Sequence, residues 1–121
     1  MIALRGATTI ENDTKEEIEK EIIILFKEIL DKNSLSKDKI ISINVSCTND
    51  ITKDYPGKFI REYFDLKYSA IMHFNEMVVD KDTYLKKCIR VTVFYDDNIK
   101  QNEVKHIYLN NAKNLRKDLS N

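Results

Sequence analysis

Arg90 sits in the run Lys86-Lys87-Cys88-Ile89-Arg90-Val91-Thr92-Val93-Phe94-Tyr95, which alternates with a period of two. That spacing predicts a half-buried strand, with Ile89, Val91, Val93 and Tyr95 on one face and Cys88, Arg90, Thr92 and Phe94 on the other. A guanidinium in mid-strand must reach water, an acid or a ligand. Solvent over an open sheet face would satisfy it, and so would an anion. Three other residues share its situation. Arg5 opposes the apolar phase of Ile2 and Leu4, Tyr108 opposes that of Ile107 and Leu109, and Glu76 falls near the end of an apolar run. Arginine forks grip carboxylates in a way that lysine cannot. Two of them, with a tyrosine hydroxyl and one acceptor carboxylate, suit a small dianion that also carries a hydroxyl.

Other chemistries find no support. There is no glycine-rich phosphate loop. His73 and His106 have no Cys or carboxylate at ligand spacing, so no metal is expected. Neither a Ser-His-Asp signature nor a carboxylate pair for acid–base work stands out. Cys47 and Cys88 are far apart in strand-like runs, with no CxxC. They read as reduced thiols of a core or pocket in a cytoplasmic protein. Lys58 and Arg61 share one face of a short helix, 58–64. Two cations near a helix start oppose its dipole and hint at an anion, although a solvated face is the commoner explanation.

These residues need elements to hold them. Residues 2–10 read as a strand in which Gly6 marks a bulge or a close approach. Residues 14–33 read as a helix, with Thr14 and Glu17 at capping-box spacing and Ile18, Ile22, Leu25, Phe26 and Ile29 as its apolar stripe. Residues 40–48 alternate Ile41, Ile43, Val45 and Cys47 against Ser42, Asn44, Ser46 and Thr48, which predicts one dry and one polar face. The only proline, Pro56, sits in Tyr55-Pro56-Gly57-Lys58, in position to make a turn or open a helix. A mostly apolar strand is expected over 67–77 and a last one over 104–109. The polar tail 111–121 is expected to be mobile. The order is β-α-β-α-β-β-β, without repeats or an internal break.

A chain of 121 residues is one domain by size. Lys plus Arg and Asp plus Glu number 20 each, a balance that argues against a nucleic-acid binder. No apolar run approaches membrane-spanning length. Met1-Ile2-Ala3-Leu4-Arg5-Gly6 lacks the pattern of a signal peptide.

Taken together, RGATT (5–9), YPGKFIRE (55–62), NEM (75–77), KKCIRV (86–91), HIYL (106–109) and LRKDLS (115–120) resemble the monofunctional chorismate mutases of the trimeric α/β-barrel type. The segments recur in the family's order, from the first strand to the tail. The resemblance implies an α+β fold: a single domain over 1–121 with a five-stranded mixed sheet on one long and one short helix, trimerising into a pseudo-α/β-barrel. It implies conversion of chorismate to prephenate by a [3,3] rearrangement in aromatic amino-acid biosynthesis. No cofactor or metal is implied, and the pockets lie between the subunits of a cytoplasmic homotrimer.

By this resemblance, Arg90 meets the ether oxygen and a substrate carboxylate, Arg5 and Tyr108 hold the side-chain carboxylate, and Glu76 accepts from the ring hydroxyl. Tyr55, Lys58 and Arg61 match a segment lent by the neighbouring subunit. Leu115 and Arg116 match a tail that closes over the mouth.

There are departures from the pattern. Tyr55 stands where Phe is usual, and Gly57 where Ala is common. His73 replaces a cysteine whose thiol touches the ring hydroxyl, beside Met72 in place of a small polar residue. Lys117 replaces a proline, and the stretch between Met77 and Leu85 is longer and lacks a Gly-Gly. Two alternatives remain: a trimeric imine deaminase of the Rid type, whose glycine-rich segments are absent, and a non-catalytic module that binds a small dianion.

Overall fold

Thr14 holds an extended backbone and its hydroxyl accepts the Glu17 N–H at 3.2 Å. Helix α1 (Lys15–Lys32) starts there in the computed structural model, which describes residues 1–81 and 84–116. Glu17 does not close the box onto Thr14. Its carboxylate reaches further back, to the Glu11 and Asn12 N–H groups. The stripe Ile18, Ile22, Leu25, Phe26 and Ile29 is fully buried, as its period requires.

Helix α2 (Pro56–Tyr63) opens at Pro56, ahead of the expected start at Lys58. Proline costs nothing at a first helical position, where its absent N–H would have no partner within the helix. The earlier start puts Arg61 in the last turn, where the dipole favours a cation, while Lys58 pairs with Asp54 at 2.8 Å. The expected conflict between two cations and the dipole is therefore not present.

Strands β1 (Ile2–Thr9), β2 (Ile40–Cys47), β3 (Ala70–Asn75), β4 (Cys88–Tyr95) and β5 (Ile107–Tyr108) form one mixed sheet in the order β3-β2-β4-β1-β5. The central strand β4 runs antiparallel to β1 and β2, whereas β5 joins β1 and β3 joins β2 in parallel. The order of elements along the chain is the one expected, and the fold is α+β. Leu4, Ile43, Val45, Ile89 and Val93 are fully buried against α1 and against Phe59 and Ile60 of α2. No bulge interrupts β1 at Gly6. A Cβ there would lie 2.6 Å from the Ile29 Cδ1, so glycine lets α1 approach the sheet.

Three expectations need correction. First, the alternation of β2 is broken: a register shift between Ile40 and Ser42 sends Ile40 into the core and leaves Ile41 exposed. The expected phase holds from Ile43 onward. Second, β3 is shorter than 67–77 and is the sheet edge, with Met72 and Phe74 exposed, so its apolar content does not mark core. Third, the last strand pairs only at Ile107 and Tyr108.

Both helices pack on one face of the sheet. The other face, bearing Arg5, Asn44, Ser46, Arg90 and Thr92, is covered by neither, and all five are partly exposed. No helix among the described residues is long and apolar enough to cross a membrane.

Candidate active site

Period-two alternation carries Arg5 and Ala7 of β1, and Arg90 and Thr92 of β4, onto the open face. The strand registers then set one row across the sheet: Tyr108, Ala7, Arg90, Ser46 and Phe74 are partners on successive strands. Ala7 and Ser46 flank Arg90 with little bulk, leaving room above its guanidinium. Arg5 stands one step away, paired with Thr92, which in turn pairs with Asn44. A cleft of about 200 Å³ results, lined by Arg5, Asn44, Ser46, Glu76, Arg90 and Tyr108 among others.

Glu76 enters just past β3, held by its N–H donating to the Cys47 carbonyl at 2.9 Å. Its carboxylate lies 3.6 Å from Arg90 Nη1, an ion pair too long for a hydrogen bond. Arg90 thus keeps N–H donors for another anion. Tyr108 is 5 % exposed, and its hydroxyl is buried without a hydrogen-bond partner among the described residues. Such an orphan costs about 1–3 kcal/mol, and a ligand carboxylate would supply the acceptor it lacks.

His106 acts in a way its sequence position did not reveal. Its Nδ1 accepts the Arg5 backbone N–H at 2.9 Å, tying the lead into β5 to β1 beside the Arg5 side chain. Burial, then the Arg5 and Arg116 cations, hold its pKa below the ordinary value, which keeps that lone pair available at neutral pH. The polar face of β2 gave the one sequence signal for Asn44 and Ser46. His106 shared the polar phase of Tyr108, but nothing in that phase pointed to a bond with the Arg5 backbone.

The cleft continues into a groove of about 450 Å³ that shares Ser46, Glu76 and Arg90 and adds Cys88, Leu85 and Leu115. Leu115 also packs on the cluster of Ala7, Tyr108 and Ala112. Burial pushes the Cys88 thiol up to about 12 despite the opposing pull of Arg90, so it offers no thiolate nucleophile at neutral pH. Burial likewise pushes Cys47 up to about 12. Among the described residues, no three His, Cys, Asp or Glu gather as a metal site would require. Lys117, Leu119 and the rest of 117–121 lie outside the described residues, as do Asp82 and Thr83 of the long loop before β4.

The remaining candidates assemble elsewhere. His73 is the register partner of Val45, so it faces the helices and not the Arg90 side. Its Nε2 accepts the Gly57 N–H at 2.9 Å, and its ring meets the Tyr55 ring edge-on, with centroids 5.2 Å apart. Burial first, then the nearby Arg61 cation, lower its pKa. Tyr55 and His73 line a cleft of about 380 Å³ that shares no residue with the Arg90 cleft itself and touches its adjoining groove at Asn75. Met72 lies exposed on the sheet edge and lines neither. The structure therefore unites Arg5, Glu76, Arg90 and Tyr108, and sets Tyr55, Lys58, Arg61 and His73 apart from them.

Fold and cleft set two guanidinium groups, a carboxylate and a hydroxyl together on the open face of an α+β sheet, an arrangement suited to a small hydroxylated dianion. Residues 1–119 match the family model of chorismate mutase type I, and the chain belongs to that family. It is 35% identical over 117 residues to the chorismate mutase AroH of Bacillus subtilis (strain 168), covering 97% of this chain and 91% of that protein. It is 29% identical over 117 residues to the AroH of Thermus thermophilus, covering 96% and 93%. A solved chorismate mutase from Clostridium thermocellum superposes with a TM-score of 0.85 at 38% identity, covering 92% of this chain and 96% of that one.

Proposed function

We propose that this chorismate mutase holds chorismate in the Arg90 cleft, and that the Tyr55–His73 cleft of a second subunit completes the site. The family's reaction converts chorismate to prephenate by a [3,3] rearrangement. It transfers no proton and needs no nucleophile, which fits a cleft whose thiol is held protonated. As the carbon–oxygen bond breaks, negative charge builds on the ether oxygen. Arg90, fixed mid-strand, stabilises that charge more than it stabilises the ground state. Arg5 and the Tyr108 hydroxyl hold a substrate carboxylate, and Glu76 accepts from the ring hydroxyl.

A cation at the ether oxygen is worth about 3–4 kcal/mol, by analogy with oxyanion-hole donors. Clamping both carboxylates confines the flexible substrate to its reactive chair-like form and lowers the barrier further. Together these approach the roughly 8 kcal/mol that a million-fold acceleration requires.

One observation carries the reading: two guanidinium groups, a carboxylate and a buried hydroxyl with no partner among the described residues meet in one cleft. The exposed edge strand and the division of the site between two clefts support the homotrimer, in which each cleft borrows its second half from a neighbour. We place this single domain, residues 1–121, in the cytoplasm.

The test begins by mixing the protein with chorismate and following loss of diene absorbance. Turnover supports the mutase, whereas saturable binding without turnover would make the cleft a sensor. The composite site is tested by co-refolding Arg90→Ala with Lys58→Ala chains. Each variant alone has only defective sites. Random mixing in a cyclic trimer restores about a quarter of the sites if the halves come from different subunits, and none if both come from one.

A further inference from the structure

Two of the departures from the family pattern, Gly57 and His73, meet in space. Pro56 opens α2 and has no N–H, so Gly57 carries the first backbone donor of that helix. Tyr55 precedes the helix and supplies no side-chain cap. The donor goes instead to His73 Nε2 at 2.9 Å, across from β3. An accepting Nε2 puts the proton of the neutral ring on Nδ1. The ring edge packs against Tyr55, so one imidazole holds both the entry to α2 and the aromatic residue before it. The fit is tight: a Cβ at position 57 would lie 2.7 Å from His73 Nε2, 2.8 Å from its Cε1 and 2.7 Å from the Ile71 Cγ2.

We propose that His73 is a positioning residue whose Nε2 anchors the first turn of α2, fixing Tyr55 and Lys58 for the neighbouring subunit's substrate, and that Gly57 is the small partner this anchor demands. The two residues act as one unit, so a change at either is felt through the other. The assignment rests on the composite-site reading for its effect on catalysis, but the anchor itself exists in the chain without substrate.

Protonation would give Nε2 a hydrogen aimed at the Gly57 N–H and release the turn. Several groups surround the ring. Arg61 comes from α2, and Tyr55 from the residue before it. Asp54, already bound to Lys58, and Lys53 come from the loop ahead, and Cys47 from β2. Burial and the Arg61 cation both favour the neutral ring.

The experiment is a double-mutant cycle with Gly57→Ala, His73→Cys and the double variant, read by Tm without substrate and by kcat/KM. Gly57→Ala is expected to lower Tm by about 5 °C more, and kcat/KM about tenfold more, in the wild-type background than in the His73→Cys background. The Ile71 methyl obstructs in both backgrounds and cancels. His73→Gln offers an amide oxygen where Nε2 stood. It is expected to keep kcat/KM within about threefold at neutral pH and to fall less steeply than wild type as pH drops below the ordinary histidine range. Equal Tm losses in the two backgrounds, or the same acid fall in His73→Gln, would overturn the anchor. If the wild type failed to turn over chorismate, the functional reading would fall, while the substrate-free Tm cycle would still decide the anchor.

Discussion

The two clefts differ in how far their polar groups are satisfied within the chain. In the Tyr55–His73 cleft, Lys58 bonds Asp54 and His73 accepts from Gly57. In the Arg90 cleft, the ion pair to Glu76 is stretched and the Tyr108 hydroxyl has no hydrogen-bond partner among the described residues. The contrast teaches a division of labour. One half is a finished surface that can be presented to a neighbour. The other is left electrostatically incomplete among the described residues, and in the proposed site the substrate completes it. The two histidines do the same work on each side, since each accepts a backbone N–H, from Gly57 in one cleft and from Arg5 in the other.

The sharpest break in this comparison is at Arg90. Arg90→Lys should lower kcat by about 10²–10³, because one ammonium cannot span an ether oxygen and a carboxylate. Wild-type kcat in steady-state assays of that variant would end the electrostatic account. Lys58→Ala, in the other half, should act mainly through KM, raising it about tenfold through one lost charge-assisted contact to substrate. A kcat loss as deep as that of Arg90→Lys would erase the distinction between the halves.

Tyr108→Phe separates function from stability. Removing an orphan hydroxyl should lower kcat/KM about tenfold and leave urea stability unchanged or higher by about 1 kcal/mol. A large drop in stability would mean the hydroxyl was already satisfied. The smallest effect is on stability at acid pH. His73 and His106 both have folded-state pKa values below the ordinary 6.5. The unfolded chain therefore binds protons more readily than the folded one in this range. Stability should be fully present above about pH 6.5 and be lost as pH falls through the lowered values, read as a falling urea midpoint. His106→Asn, which can keep an acceptor near Nδ1 without titrating, should soften that decline.

Much of the architecture was legible because local rules agreed with the fold. The stripe of α1, the Thr14 cap and the alternation of β4 each follow from spacing alone, and each is where it was expected. Edges and irregularities were less legible. An apolar run such as 67–77 reads the same in a core strand and in an edge strand that awaits a partner. The shift at Ile41 depends on how β2 meets β4, which no local pattern encodes. Of the site, Arg5, Glu76, Arg90 and Tyr108 could be picked out as polar residues at or near strand positions that oppose or end apolar phases. His106 shares the phase of Tyr108, but its role was hidden, because it is a bond to the backbone of a residue about a hundred positions away.

The sequence by itself determined which face each side chain of β1 and β4 would take, since a period of two leaves no choice once the apolar set is buried. It also determined the start of α1, through Thr14, whereas Pro56 left a turn and a helix start both open. Tertiary structure alone decided that Tyr108, Ala7 and Arg90 share a row, because that depends on strand order and register between segments far apart in the chain. It decided, too, that His73 faces α2 and that Gly57 must stay small, because the space at a backbone atom is set by whatever packs across from it.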